Sequence, residues 1–275
     1  KDYIKKVVYI FTKKFKILFP DTVYAYVKGK SIKNLAELHK TTKLMIKEDI
    51  KDFFPSCTLE FIIASMEQVY PFCFMDTTIL EVIVKACMIK YKGKYRLPQG
   101  APSSPILSNI GMLPVDYKMK VLCSTNRMIY SRYADDIYIS REEEMYKHSN
   151  IDIGVKLEEN LQKVNPEFIL NESKERFINL RKSNGVWITG IHINYEKKEI
   201  TIGHKSKQKL KATIWSFLAD AKNGKHWTKA EMYKMQGTIG WYRYIEPDYV
   251  EMIIRKYEEK TGMNYQQEIR NILCS

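Results

Sequence analysis

The chain has 275 residues, 45% of them apolar and 12% aromatic, which is enough for the packed core of one large or two modest domains and rules out a disordered chain. Its 45 Lys and Arg against 32 Asp and Glu leave a net charge of +13, which favours a polyanionic partner, nucleic acid first, over an acidic small molecule. Cys57, Cys73, Cys87, Cys123 and Cys274 lack C-x-x-C spacing or a His pattern suited to zinc and fit a reduced, cytoplasmic setting, while the longest apolar run, Ile79 to Met88, is broken by Glu81 and Lys85, so no membrane partner is expected.

In chain order, residues 3–18 carry apolar side chains at mixed three and four spacings between lysines, which predicts an amphipathic helix ending near Pro20. A loop around Gly29, between Lys28 and Lys30, follows. Helical patterns at 31–40, 58–70 and 76–90 surround a short strand, Leu44 to Ile50, whose apolar residues run directly into acids. A hairpin is expected around Gly93, and Ser103-Ser104-Pro105 opens a helix to about Leu122, with Pro where a first turn tolerates it. Met128 to Tyr133 and Ile137 to Ser140 then read as two strands around Ala134-Asp135-Asp136, because β-branched and aromatic residues dominate both arms. After a helix at 151–164 come short strands near 167–170, 175–180, 186–194 and 198–203. From Lys205 the pattern is basic and helical, punctuated by Gly224, Pro247 and Gly262, so a boundary is placed near Gly203: an α+β body over 1–203 and a helical bundle over 204–275.

Two acidic clusters carry the chemistry. Asp49 closes a strand and is followed by Asp52-Phe53-Phe54-Pro55-Ser56, and Tyr133-Ala134-Asp135-Asp136 puts adjacent carboxylates at a hairpin tip. An isolated Asp-Asp pair is most often a turn or cap, but here apolar strands flank it, and buried acids are costly unless paired or bound to a cation. Phosphoryl transfer from a nucleoside triphosphate uses two hard cations held by carboxylates from separate segments, and these two clusters supply them.

These residues resemble the bacterial retron-type reverse transcriptases from about Lys28 onward. Asp49 with Phe53-Phe54-Pro55-Ser56 is similar to the first palm motif, Leu97-Pro98-Gln99-Gly100-Ala101-Pro102-Ser103-Ser104-Pro105 to the second, and Tyr133-Ala134-Asp135-Asp136 to the third. Asn171-Glu172-Ser173-Lys174 is similar to the fourth, and Ile188-Thr189-Gly190 to the Val-Thr-Gly element before the thumb. Where retron enzymes carry Asn-Ala-x-x-His, this chain has Leu35-Ala36-Glu37-Leu38-His39 with Asn34 one place earlier, so related defence-associated reverse transcriptases stand beside the retron reading. The resemblance implies a right-hand polymerase with an antiparallel palm sheet, partial fingers and an α-helical thumb. It implies RNA-directed DNA synthesis in antiphage defence with a structured non-coding RNA as template, dNTPs as substrates, cDNA as product and an effector protein as a further partner. Two Mg²⁺ ions, with Mn²⁺ as substitute, would be held by Asp49, Asp135, Asp136 and the Ile50 carbonyl. Asp52, Phe54, Gln99 and Gly100 would bind the incoming nucleotide, with Phe54 as steric gate against a 2′-hydroxyl and Phe53 facing the core if the stretch is extended. Lys174 would protonate or stabilise the leaving pyrophosphate. Lys30, Arg132, Trp187, Thr189, Gly190, Lys205 and Lys209 would contact nucleic acid, while the stripe Trp187, Trp215, Trp227 and Trp241 is expected in the core, with Trp187 beside Thr189-Gly190 as the one that touches the primer. His39 reads as a satisfied structural histidine. The alternatives are a group II intron-type reverse transcriptase or a catalytically idle RNA-binding scaffold.

Overall fold

Helix starts follow the capping chemistry of the sequence. In the computed structural model, which describes residues 2–15, 17–142, 147–171, 177–225 and 227–274, the first part of the chain holds α1 (Asp2–Tyr9), α2 (Ile32–Leu38), α3 (Phe53–Ser56), α4 (Leu59–Met66), α5 (Thr77–Lys85), α6 (Ser104–Thr125), α7 (Lys147–Val164) and α8 (Leu180–Ser183). Between them lie β1 (Leu44–Asp49), β2 (Ile89–Tyr91), β3 (Lys94–Arg96), β4 (Ile129–Tyr133), β5 (Asp136–Arg141) and β6 (Phe177–Asn179). The side chains of Ser31, Thr58 and Asp76 accept hydrogen bonds from the first-turn amides of α2, α4 and α5, satisfying donors that a helix start leaves open.

Two compact units divide between Asn184 and Gly185. In the first, an antiparallel sheet runs in the order β4-β5-β1-β6. One face, with Ile46, Tyr130, Ile137 and Ile139, joins the core built with α4 and α6. Tyr138 and Ser140 alternate onto the other face and are buried too, which is why β5 reads as a continuous run of strand formers. The long helix α6 is buried along most of its length, and a Cβ on its Gly111 would stand 2.6 Å from the Phe61 ring of α4, so the two helices approach where only glycine fits.

Several sequence expectations are corrected at their edges. The N-terminal helix was expected to run to residue 18; α1 ends at Tyr9 and passes into a π-helical turn, Ile10–Lys14, after which Phe15 is extended. Phe11 and Phe15 both pack edge-on against Phe72, and seating both rings there favours the widened turn. Helix 76–90 is shorter, because Ile89–Tyr91 pairs with Lys94–Arg96 as a hairpin. The expected strand at 167–170 is a single bridge, Ile50 to Leu170.

The second unit contains β7 (Val186–Ile188), β8 (Ile191–Asn194), β9 (Glu199–Thr201), α9 (His204–Lys222), α10 (Lys229–Ile245), α11 (Pro247–Thr261) and α12 (Tyr265–Cys274). The three strands form an antiparallel meander. Placing the boundary near Gly203 separates this meander from the helices, whereas the structure joins them. Glu246, between α10 and α11, accepts from Thr201 Oγ1 at 2.7 Å and the Ile202 amide at 2.6 Å, and it pairs with Lys207 of α9 at 2.7 Å. A capping box, Thr228 with Glu231, starts α10. Among the described residues no helix is long and apolar enough to cross a membrane.

Candidate active site

Antiparallel register brings the two acidic clusters together. Asp49, the last residue of β1, lies opposite Asp136, the first of β5, and Tyr133 pairs with Asp136 across the two-residue turn Ala134-Asp135. Ala134 holds φ 58°, on the left-handed side where an L residue is uncommon. The Ile50 amide donates to the Asp135 carbonyl at 3.1 Å, closing the end of the sheet over the turn. On the far side the Asn171 amide donates to the Asp49 carbonyl at 2.9 Å, and its side-chain Nδ2 reaches Asp49 Oδ2 at 3.4 Å. Asp49 is buried, 8% exposed, while Asp135 and Asp136 are half-buried. Three hard oxygen donors at one sheet end suit Mg²⁺ in kind. Among the described residues, no group of three or more His, Cys, Asp and Glu side chains is arranged to hold a metal ion, so the backbone juxtaposes the acids without closing a cage.

Beyond Asp49 the chain turns sharply. Asp52 adopts φ 49° and Phe53–Ser56 form one helical turn, so the extended conformation assumed for Phe53 and Phe54 is corrected. Burial of Phe53 against Phe168, ring centroids 5.9 Å apart, favours that turn over a strand. Phe54 remains half-buried. Asp52 and Gln99 line one cleft of about 680 Å³ together with Ser56, Tyr91, Lys92 and Arg96. At its wall Arg96 and Lys94 both bond Glu167, and Arg96 foremost, against modest burial, holds that carboxyl below its usual range. Gly100 takes φ 82°, a conformation that suits glycine, and open space lies where a Cβ would stand. Ser104 Oγ, at the start of α6, donates to the Pro98 carbonyl at 2.6 Å and so ties this loop to the helix.

The nucleic-acid expectation for Arg132 is corrected. Its side chain is wholly buried and bidentate to Asp116, with Nε to Oδ1 at 2.8 Å and Nη2 to Oδ2 at 2.7 Å, leaving no surface for a phosphate. Lys30 is half-buried, donating to the Asp21 carbonyl at 3.0 Å and lying 4.7 Å from the centre of the Tyr24 ring. Lys174 lies outside the described residues. In the second unit Thr189 and Gly190 form the two-residue turn between β7 and β8, both at positive φ, as this hairpin type requires. Lys205 and Lys209 are exposed on α9. The expectation of a tryptophan core is corrected too, since Trp187, Trp215 and Trp241 are exposed, and Trp187 lies against His192 and Gly203.

Sequence reasoning missed Tyr26. Its segment runs beside β4, with Val23 bridged to Arg132 in parallel, and burial first, then the charges of Tyr133 and Asp135, raise the Tyr26 hydroxyl above its usual pKa. Neither spacing nor composition signals that placement, which depends on a non-local pairing.

The family model "Reverse transcriptase (RNA-dependent DNA polymerase)" matches residues 3–218. The retron Ec83 reverse transcriptase of Escherichia coli is 27% identical over 254 residues, 88% of this chain and 75% of that protein. The retron Ec86 reverse transcriptase of E. coli is 30% identical over 190 residues, 69% of this chain and 54% of that protein. Among solved structures, telomerase from Candida albicans, in complex with a fragment of telomeric RNA, has a TM-score of 0.59 at 9% identity, covering 99% of this chain and 56% of that one, a likeness of fold alone. With the family model spanning most of its length and retron enzymes as relatives, the chain belongs to the reverse transcriptase (RNA-dependent DNA polymerase) family and is an RNA-directed DNA polymerase resembling the retron type.

Proposed function

We propose that this polymerase copies a dedicated structured RNA into cDNA by two-metal-ion nucleotidyl transfer, in the cytoplasm of a bacterium and in antiphage defence, with an effector protein as partner. The observation that supports the catalytic part is the register: Asp49 lies opposite Asp136 and the Ile50 amide bonds the Asp135 carbonyl, so the backbone brings three acidic residues to one sheet end. Asp49, Asp135, Asp136 and the Ile50 carbonyl would hold two Mg²⁺, or Mn²⁺ in their place. When bound, such ions activate the primer 3′-hydroxyl and neutralise the pyrophosphate that leaves.

The chain's own residues do the rest. Asn171 orients the Asp49 carboxylate through its side-chain amide. Asp52 and Gln99, on one cleft, receive the incoming nucleotide, and Gly100 leaves room for its close approach. Phe54 stands beneath the sugar and excludes a ribose. Lys174 donates a proton to the leaving pyrophosphate. Lys205, Lys209, Trp187 and the turn Thr189-Gly190 contact the template and its product, with the net charge of +13 supplying attraction to the backbone. The relatives' description as retron reverse transcriptases supports the RNA template.

Replacing Asp135 or Asp136 by Asn removes a charged oxygen while conserving shape. Each variant is expected to lose nearly all primer extension on an RNA template, while circular dichroism and RNA affinity stay near parental values. Parental extension rates in both variants would overturn the site.

A further inference from the structure

We propose that Arg132 is a positioning residue for the catalytic turn, acting with Asp116 and Asn109; this rests on the assignment of Asp135 and Asp136 as catalytic. Arg132 is the penultimate residue of β4, and its guanidinium turns inward beneath the turn that β4 enters. Besides its two bonds to Asp116, its Nη1 donates to the Ala134 carbonyl at 3.0 Å and to Asn109 Oδ1 at 3.1 Å. Asn109 in turn donates from Nδ2 to the Ala25 carbonyl at 2.8 Å, and the Tyr130 hydroxyl donates to Asp116 Oδ1 at 2.8 Å. The backbone of Arg132 is engaged as well: its amide donates to the Thr22 carbonyl and its carbonyl accepts from the Tyr24 amide, both at 2.9 Å. One buried cation therefore ties together α6, the segment 22–25 and the turn that presents Asp135.

The turn needs such a tether. Ala134 is held at φ 58°, a conformation that an L residue keeps only where its surroundings fix it, and the Arg132 bond to its carbonyl is one such restraint. Because buried ion pairs are often replaceable by packed apolar side chains without loss of stability, the role assigned to this pair is geometric. A lysine at this position has one nitrogen and cannot serve Asp116 in bidentate fashion and the Ala134 carbonyl together.

Arg132→Met combined with Asp116→Leu removes the tether without stranding a buried charge. The double variant is expected to melt cooperatively near the parental temperature. Its single-turnover incorporation at saturating dNTP should fall roughly ten- to a hundredfold, as for a misplaced reacting group, with KM for dNTP within about threefold of parental. Mn²⁺ alone, titrated by electron paramagnetic resonance of the free ion, should bind more weakly. Adding Ala134→Gly, which lets the turn adopt positive φ without restraint, should recover much of the rate. If the double variant does not fold, Arg132→Lys is expected to give the same pattern. A folded variant with parental rate and Mn²⁺ affinity would overturn the proposal, and so would a slow variant that Ala134→Gly leaves slow. Failure of both Arg132 variants to fold would also overturn it, by making the network a determinant of the fold rather than of the turn. Parental activity in Asp135→Asn and Asp136→Asn is a separate result that removes the underlying site whatever the Arg132 variants do.

Discussion

Phe53 and Phe54 are adjacent in sequence, yet Phe53 is buried against Phe168 and Phe54 keeps part of its ring open. On a helical turn successive side chains point about 100° apart, so one can serve the core while the next faces the site. Phe54→Ala is therefore expected to relax discrimination against ribonucleotides, read as GTP against dGTP incorporation on one template. Phe53→Ala should leave discrimination unchanged and lower stability by roughly 3 to 5 kcal/mol through lost core packing. If Phe54→Ala rejects GTP as strictly as the parent, Phe54 is not the sugar gate. The sequence suggested that the two rings differ in burial, and they do, although the difference arises from a turn rather than from an extended chain.

His39 joins elements rather than serving chemistry. It ends α2, and its ring nitrogens bond Ser140 of β5 and Ser131 of β4, each at 2.6 Å, on the sheet face away from α6. Complete burial, which disfavours the charged imidazolium, lowers its pKa from 6.5 to about 3. The unfolded chain thus binds a proton below pH 6.5 that the folded chain refuses until about pH 3, so stability falls as pH drops through that window and is unaffected above it. Between pH 7 and pH 5 the loss should be about 2 kcal/mol, measurable as a lower urea midpoint, and His39→Gln should remove most of that dependence. An equal pH slope in parent and variant would show that His39 is not the titrating group. The neighbouring hydroxyls also explain why this face of the hairpin carries Ser rather than Val: a neutral imidazole needs one donor and one acceptor.

For the whole molecule, the excess of basic residues matters through its distribution. Lys207 is spent on Glu246, whereas Lys205 and Lys209 of α9 remain exposed and available to phosphates. Affinity for structured RNA should fall with salt, each contact contributing a logarithmic slope of about −0.7 to −0.9 as counterions are released. Lys205→Glu together with Lys209→Glu is expected to flatten the slope by nearly two contacts. An unchanged slope in a filter-binding series would place the RNA on another face.

The sequence by itself determined the strand that ends in Asp49, the hairpin tip with Asp135 and Asp136, and the order of the motifs. Asp49 and Asp135-Asp136 stand at the ends of strongly patterned β segments, and a local pattern is enough to locate them. The starts of the helical patterns at 31, 58 and 76 were legible for the same reason, because the Ser31, Thr58 and Asp76 side chains that cap them act on amides two or three residues away. Tertiary structure alone decided what depends on distant partners. Arg132 looks like any basic residue until Asp116, sixteen positions earlier on α6, captures it inside the core. The meander β7-β8-β9 reads as a continuation of the preceding strands until Glu246, 45 residues beyond Thr201, binds it to the helices. Tyr26 comes within electrostatic range of Tyr133 and Asp135 because its segment pairs with β4 at Val23 and Arg132, across the fold. In each case a polar group that leaves water requires a partner, and the energy of finding one far along the chain outweighs the local preferences that a sequence displays.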